Sequence, residues 1–100
     1  MKEIPLISEI FKVSEAVKSR NKYEVLAAFM EELGELSTEI NIQAGFSSKT
    51  PGEDGIVGEA IDVILCAVDI IYLENPNITA EEFMNNVRKK LDKWKTKKQV

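Results

Sequence analysis

The chain has 100 residues, 44% of them hydrophobic, with 13 Lys and Arg against 17 Asp and Glu, one cysteine and no histidine. That suits one domain with one modest core; Cys66 excludes an internal disulfide, the lack of histidine removes the usual zinc ligand sets, and any metal must be held by oxygen, as Mg²⁺, Mn²⁺ or Ca²⁺ are. No charge-free apolar run reaches ~20 residues, and Glu3 and Glu9 interrupt the N-terminal "MKEIPLISEI" where a signal peptide would be apolar, so the expectation is a cytoplasmic chain with no membrane association.

Four helical segments and no strand are predicted, an all-α chain. The first runs from Pro5 to Ser19, with Ile7, Ile10, Phe11 and Val17 near the helical period and Pro5 suited to a first turn. Asn21, with Glu24 three residues on, forms a capping box for the second. Its stripe of Leu26, Phe29, Met30, Leu33, Leu36 and Ile40 continues to Ala44, and Gly45 stops it.

"GFSSKTPGEDG", residues 45 to 55, holds three of the five glycines and reads as a loop longer than most helix connections. The third helix, "IVGEAIDVILCAVDIIYL" over 56–73, is apolar except at Glu59, Asp62 and Asp69. Such a helix is normally covered on several sides, and three short helices can hardly enclose it, so a homo-oligomer, dimer or tetramer, is expected. "NPN" at 75–77 breaks the chain, and Thr79 with Glu82 caps a fourth helix reaching Trp94.

Charge is distributed unevenly along these elements. Residues 1–87 carry 6 basic and 16 acidic side chains, residues 88–100 carry 7 and 1. An acidic body disfavours a nucleic-acid polymer as partner. The tail "RKKLDKWKTKK" reads either as a solvated helix end or as a phosphate contact.

The acidic residues that carry chemistry come in pairs. Glu32 and Glu35 stand three apart on the second helix, and Glu59 and Asp62 three apart on the third, so each pair aims two carboxylates at one region. Glu39 and Asp69 stand where they could extend or support the cluster. Taken alone, the second-helix glutamates are a solvated face. Glu59 and Asp62, however, lie in an apolar helix, where an uncompensated buried carboxylate costs several kcal/mol, so they need a partner. Lys49 and the tail lysines are candidates, but a divalent cation suits four carboxylates better. Mg²⁺ bridges carboxylates to phosphate oxygens, which points to phosphoryl or nucleotidyl hydrolysis with one carboxylate as general base.

"EELGE" at 31–35, followed after 23 residues by "EAID" at 59–62, resembles the E-E-x-x-E and E-x-x-D motifs of MazG-like, all-α nucleoside triphosphate pyrophosphohydrolases. The resemblance implies a four-helix bundle completed by homo-oligomerisation, and hydrolysis of a (deoxy)nucleoside triphosphate to the monophosphate and pyrophosphate. Carried over by motif position, it makes Glu32, Glu35, Glu59 and Asp62 ligands of Mg²⁺, for which Mn²⁺ can substitute, and Glu31 a further ligand or the base beside Glu35. Lys90 and Lys93, with Lys49, would meet the phosphates. Trp94 stands where such proteins often carry an Asn, a departure that bears on those contacts and suits a packing residue. Phe11 and Phe29 are candidates for base contact or for the core. A phosphoribosyl-ATP pyrophosphohydrolase is similar in length but fits "EELGEL" less well. A non-catalytic helical adaptor would account for the apolar helix and basic tail, but not for Glu59 and Asp62.

Overall fold

In the computed structural model, which describes residues 5–17 and 20–98, the chain forms α1 (Leu6–Ala16), α2 (Lys22–Gln43), α3 (Gly55–Glu74) and α4 (Ala80–Lys98), with no strand among the described residues. The all-α expectation and the order of elements therefore hold. Lys18 and Ser19, the expected end of the first helix, lie outside the described residues.

Local chemistry accounts for the boundaries. Pro5 precedes α1 and its carbonyl accepts from the Ser8 and Glu9 N–H groups at 2.9 and 3.2 Å; Val17 turns extended and ends the helix. At α2 the Glu24 N–H donates to Asn21 Oδ1 at 2.9 Å while the Asn21 N–H donates to Glu24 Oε1 at 3.4 Å, a complete capping box. Gly45 closes α2 with φ +82°, a left-handed conformation that glycine adopts without a Cβ penalty. At the start of α4 the Glu82 N–H donates to Thr79 Oγ1 at 3.1 Å and the Glu82 carboxylate accepts from the Thr79 N–H at 3.4 Å. α4 continues four residues beyond Trp94, the end expected from the apolar pattern, because lysine is a good helix former and cations suit the negative end of the helix dipole.

α2 and α3 form the main packed pair, and α1 lies against α3. Two ion pairs, Arg20 with Asp69 and Lys22 with Glu74, fasten the α1–α2 connection to α3. Arg20 Nε donates to Asp69 Oδ2 at 3.1 Å, and Nη1 donates to the Ser14 carbonyl at 3.3 Å. The Phe11 ring adds an aromatic contact at the same end of α3. It lies 6.0 Å from Tyr72, and meets Phe83 edge-on at 5.9 Å. This second contact ties the first turn of α4 to α1, although among the described residues α4 packs extensively along no other helix.

The protomer's core is thin. Among the described residues only Phe11, Val25 and Val68 are buried apolar side chains, whereas Leu26, Met30, Leu33 and Ile40 on α2 and Val57, Ile61, Ile64 and Leu65 on α3 remain exposed. The accessible surface is 8063 Å², against about 5,700 Å² for a compact protein of this mass. The radius of gyration, 16.3 Å, likewise exceeds the ~13 Å of a compact 100-residue domain.

Phe11 is 8% exposed and joins three helices, whereas Leu6 on the same helix is 71% exposed. Phe11→Ala is expected to cost about 3 kcal/mol in denaturant unfolding and Leu6→Ala less than about 0.5 kcal/mol. Equal losses would contradict this account of the core.

Candidate metal centre

Where α2 and α3 run side by side, the acidic residues separated in sequence come together. Glu32, Glu59 and Asp62 each offer a carboxylate oxygen, and these three atoms lie within 4.8 Å of one another. All three residues are half-buried. Glu32 Oε2 and Glu59 Oε2 are shielded from solvent, and neither finds a hydrogen-bond donor among the described residues. Acidic side chains share helix surfaces without consequence when water solvates them. Here two oxygens have lost water without gaining a donor, a state that needs compensation.

The electrostatics register that cost. Burial pushes the Glu59 carboxyl up to about 7, helped by a hydrogen bond with Glu35 and by the charges of Glu35, Asp62 and Glu32. Glu32 is raised for the same primary reason, burial, with Glu35, Asp62 and Glu31 adding repulsion. A proton shared within the cluster relieves the repulsion in part, and a divalent cation would relieve it more fully. The donor set fits Mg²⁺ or Mn²⁺: it is all oxygen, it is anionic, and two of its members are unsatisfied.

Glu35 is exposed and stands beside the three close carboxylates, within hydrogen-bonding reach of Glu59. Glu31 is also exposed and acts on Glu32 through its charge. Glu39 has a different role. Its side chain, 9% exposed, turns to the loop, where Oε1 accepts from the Gly52 N–H at 2.6 Å. A Cβ at position 52 would lie 2.5 Å from that oxygen, so glycine permits the close approach. Asp69 is engaged by Arg20 and does not extend the cluster.

The expected phosphate contacts are dispersed. Lys49 is exposed in the loop, with its backbone N–H donating to Ser47 Oγ at 3.2 Å. Lys93 is exposed on α4, and Lys90 lines a cleft with Ile71, Phe83 and Trp94. Asp62 and Ile71 are nine residues apart on one helix, a rise of roughly 13 Å, which separates that cleft from the carboxylates. Phe11 is core and Phe29 half-buried.

A second cleft, of about 450 Å³, escaped the sequence reading. It lies between α1 and α3, with Ile10, Val13, Leu65 and Cys66 in its walls and the Arg20–Asp69 pair at one side. Burial raises the Cys66 thiol, and the charges of Glu32, Asp69 and Asp62 raise it further, so this cleft adjoins the acidic cluster. The available signal was a lone arginine in the first 87 residues together with an aspartate in an apolar helix. No protein-family model, curated protein or solved structure matches the chain.

The sign of the pH dependence follows from Glu59. Its folded-state affinity for protons exceeds that of the unfolded chain, so its contribution to stability is present below the unfolded value of 4.5 and is lost as pH rises through about 7. Without divalent cations, the wild type minus Glu59→Gln difference in melting temperature should therefore become steadily less favourable to the wild type from about pH 5 to pH 8. Saturating Mg²⁺ should reverse the trend at the alkaline end, because it binds the ionised carboxylates. A difference independent of pH would refute the assignment.

Proposed function

We propose that the chain is a Mg²⁺-dependent nucleoside triphosphate pyrophosphohydrolase, releasing nucleoside monophosphate and pyrophosphate and working as a homo-oligomer. The observation that carries this reading is the convergence of Glu32, Glu59 and Asp62 at the α2–α3 seam with two carboxylate oxygens buried and unsatisfied. The spacing of "EELGE" and "EAID", which resembles the MazG-like motifs, supports it.

Glu32, Glu59 and Asp62 would hold the cation, with Glu35 adjoining them. Bound there, Mg²⁺ or Mn²⁺ supplies charge neutralisation of phosphate oxygens and a more acidic water. The chain's own residues divide the remaining work. The carboxylates repel a bare triphosphate, so the site selects the cation-neutralised form of the substrate. Glu35, exposed beside Glu59, takes the proton of the attacking water at its carboxylate. Glu31 strengthens the negative field at Glu32. The apolar cleft beside Cys66 has the volume for a nucleoside, and its walls of Ile10, Val13 and Leu65 suit the face of a base. The loop of residues 45–54, tied to α2 through Gly52 and Glu39, carries the exposed Lys49 as a counter-charge for phosphates. The exposed apolar faces of α2 and α3 support the oligomer.

Glu59→Gln and Asp62→Asn are each expected to lower turnover at least ~1,000-fold while leaving the cation-free protein as stable as the wild type or more so. A panel of canonical and modified nucleoside triphosphates with Mg²⁺, read for monophosphate and pyrophosphate, checks both points. Absence of product from every nucleotide with folded wild-type protein, or wild-type activity in Glu59→Gln, would overturn the reading.

A further inference from the structure

α4 is an amphipathic helix that, among the described residues, packs extensively along no single other helix. Phe83 in its first turns touches Phe11, but beyond it Met84, Val87 and Leu91 are 42%, 41% and 41% exposed. With Ala80 and Trp94 these residues recur every three or four positions and form one stripe from end to end of the helix. The stripe borders the cleft of about 610 Å³ shared with Ile71 and Ile78.

Two observations bear on what would cover Met84, Val87 and Leu91. The first is charge. Residues 80–86 carry Glu81 and Glu82 and no cation, whereas residues 88–98 carry seven cations and only Asp92. A parallel pair of such helices would place seven cations beside seven. An antiparallel pair sets each basic half against the acidic half of the other. The second is area. The protomer exposes about 2,400 Å² more than a compact chain of its mass, and obligate homodimers conceal roughly 2,000–5,000 Å² in total.

We infer that α4 is the seam of a two-fold symmetric dimer, in which the α4 helices of two copies of this chain pack antiparallel through Met84, Val87 and Leu91. With Val87 near the axis, Leu91 meets the partner's Met84, and Ala80 gives room to the partner's Trp94, a small side chain against a large one. Glu81 then lies beside the partner's Lys95, and Glu82 beside the partner's Lys93. Such an interface is isologous, so it closes at two copies and does not propagate. The inference deepens the homo-oligomer of the proposed function and stands apart from the hydrolysis.

Sedimentation velocity of the full chain over a concentration series tests it. The wild type should sediment at twice the 11.2 kDa chain mass, or as a tetramer built from that dimer. Val87→Glu/Leu91→Glu should retain its helical circular dichroism and raise the dissociation constant of the seam about 100-fold or more. Orientation is read by cross-linking in a Cys66→Ser background. Val87→Cys should oxidise to a self-linked dimer, whereas Ala80→Cys should not, because its two copies would lie ~20 Å apart along the antiparallel helices. Mixing Ala80→Cys with Trp94→Cys should link the two variants. A monomeric wild type would overturn both the seam and the oligomer. An oligomer indifferent to Val87→Glu/Leu91→Glu, or self-linking of Ala80→Cys, would overturn the seam alone. Nucleotide turnover enters none of these outcomes.

Discussion

Repulsion among Glu32, Glu59 and Asp62 is the constraint around which this chain is arranged. Packing of α2 against α3 brings the three carboxylates within 4.8 Å and removes water from one oxygen each of Glu32 and Glu59. Such an arrangement works against folding, because burial and like charge both disfavour the ionised state. The supports lie at the two ends. Asn21 caps α2, Arg20 and Lys22 tie its start to α3, and Glu39 holds the intervening loop through Gly52. The seam is thus fastened by polar contacts at its ends, while its middle brings the carboxylates together.

The same economy of contacts leaves the protomer open. Three buried apolar side chains among the described residues are few, and apolar residues on α2, α3 and α4 remain exposed. In the inferred two-fold seam, association between copies would cover the α4 stripe, and the opposed charges within α4 favour one orientation. α3 carries both Glu59 and Asp62 and the exposed Val57, Ile61 and Ile64, so the site and an uncovered apolar face share one helix.

Much of this was legible in the residues. Capping boxes at Asn21 and Thr79 and the stop at Gly45 are local devices, written in spacing alone, and they appear at those positions. The convergence of Glu32 with Glu59 and Asp62 was legible because carboxylates inside an apolar helix need an explanation. What escaped was tertiary. Glu39 shares its helix and charge with Glu32 and Glu35, yet its azimuth carries it to a loop amide, a partner 13 residues away that no periodicity reveals. Asp69 was offered to the cluster, but Arg20 reaches it across 49 residues. The length of α4 was underestimated for the opposite reason, since the apolar pattern ends at Trp94 while lysine's helical preference does not.

The central claim is that the cluster binds a divalent cation in exchange for protons, and calorimetric titration of the full chain with Mn²⁺ tests it most directly. In buffers of differing ionisation enthalpy, the wild type should bind saturably and release more protons near pH 6 than near pH 8, because the Glu59 carboxyl, at about 7, is largely protonated only at the lower pH. Asp62→Asn should lose that binding. Absence of saturable binding by the folded wild type, or binding with the same affinity and no proton release at either pH, would contradict the account.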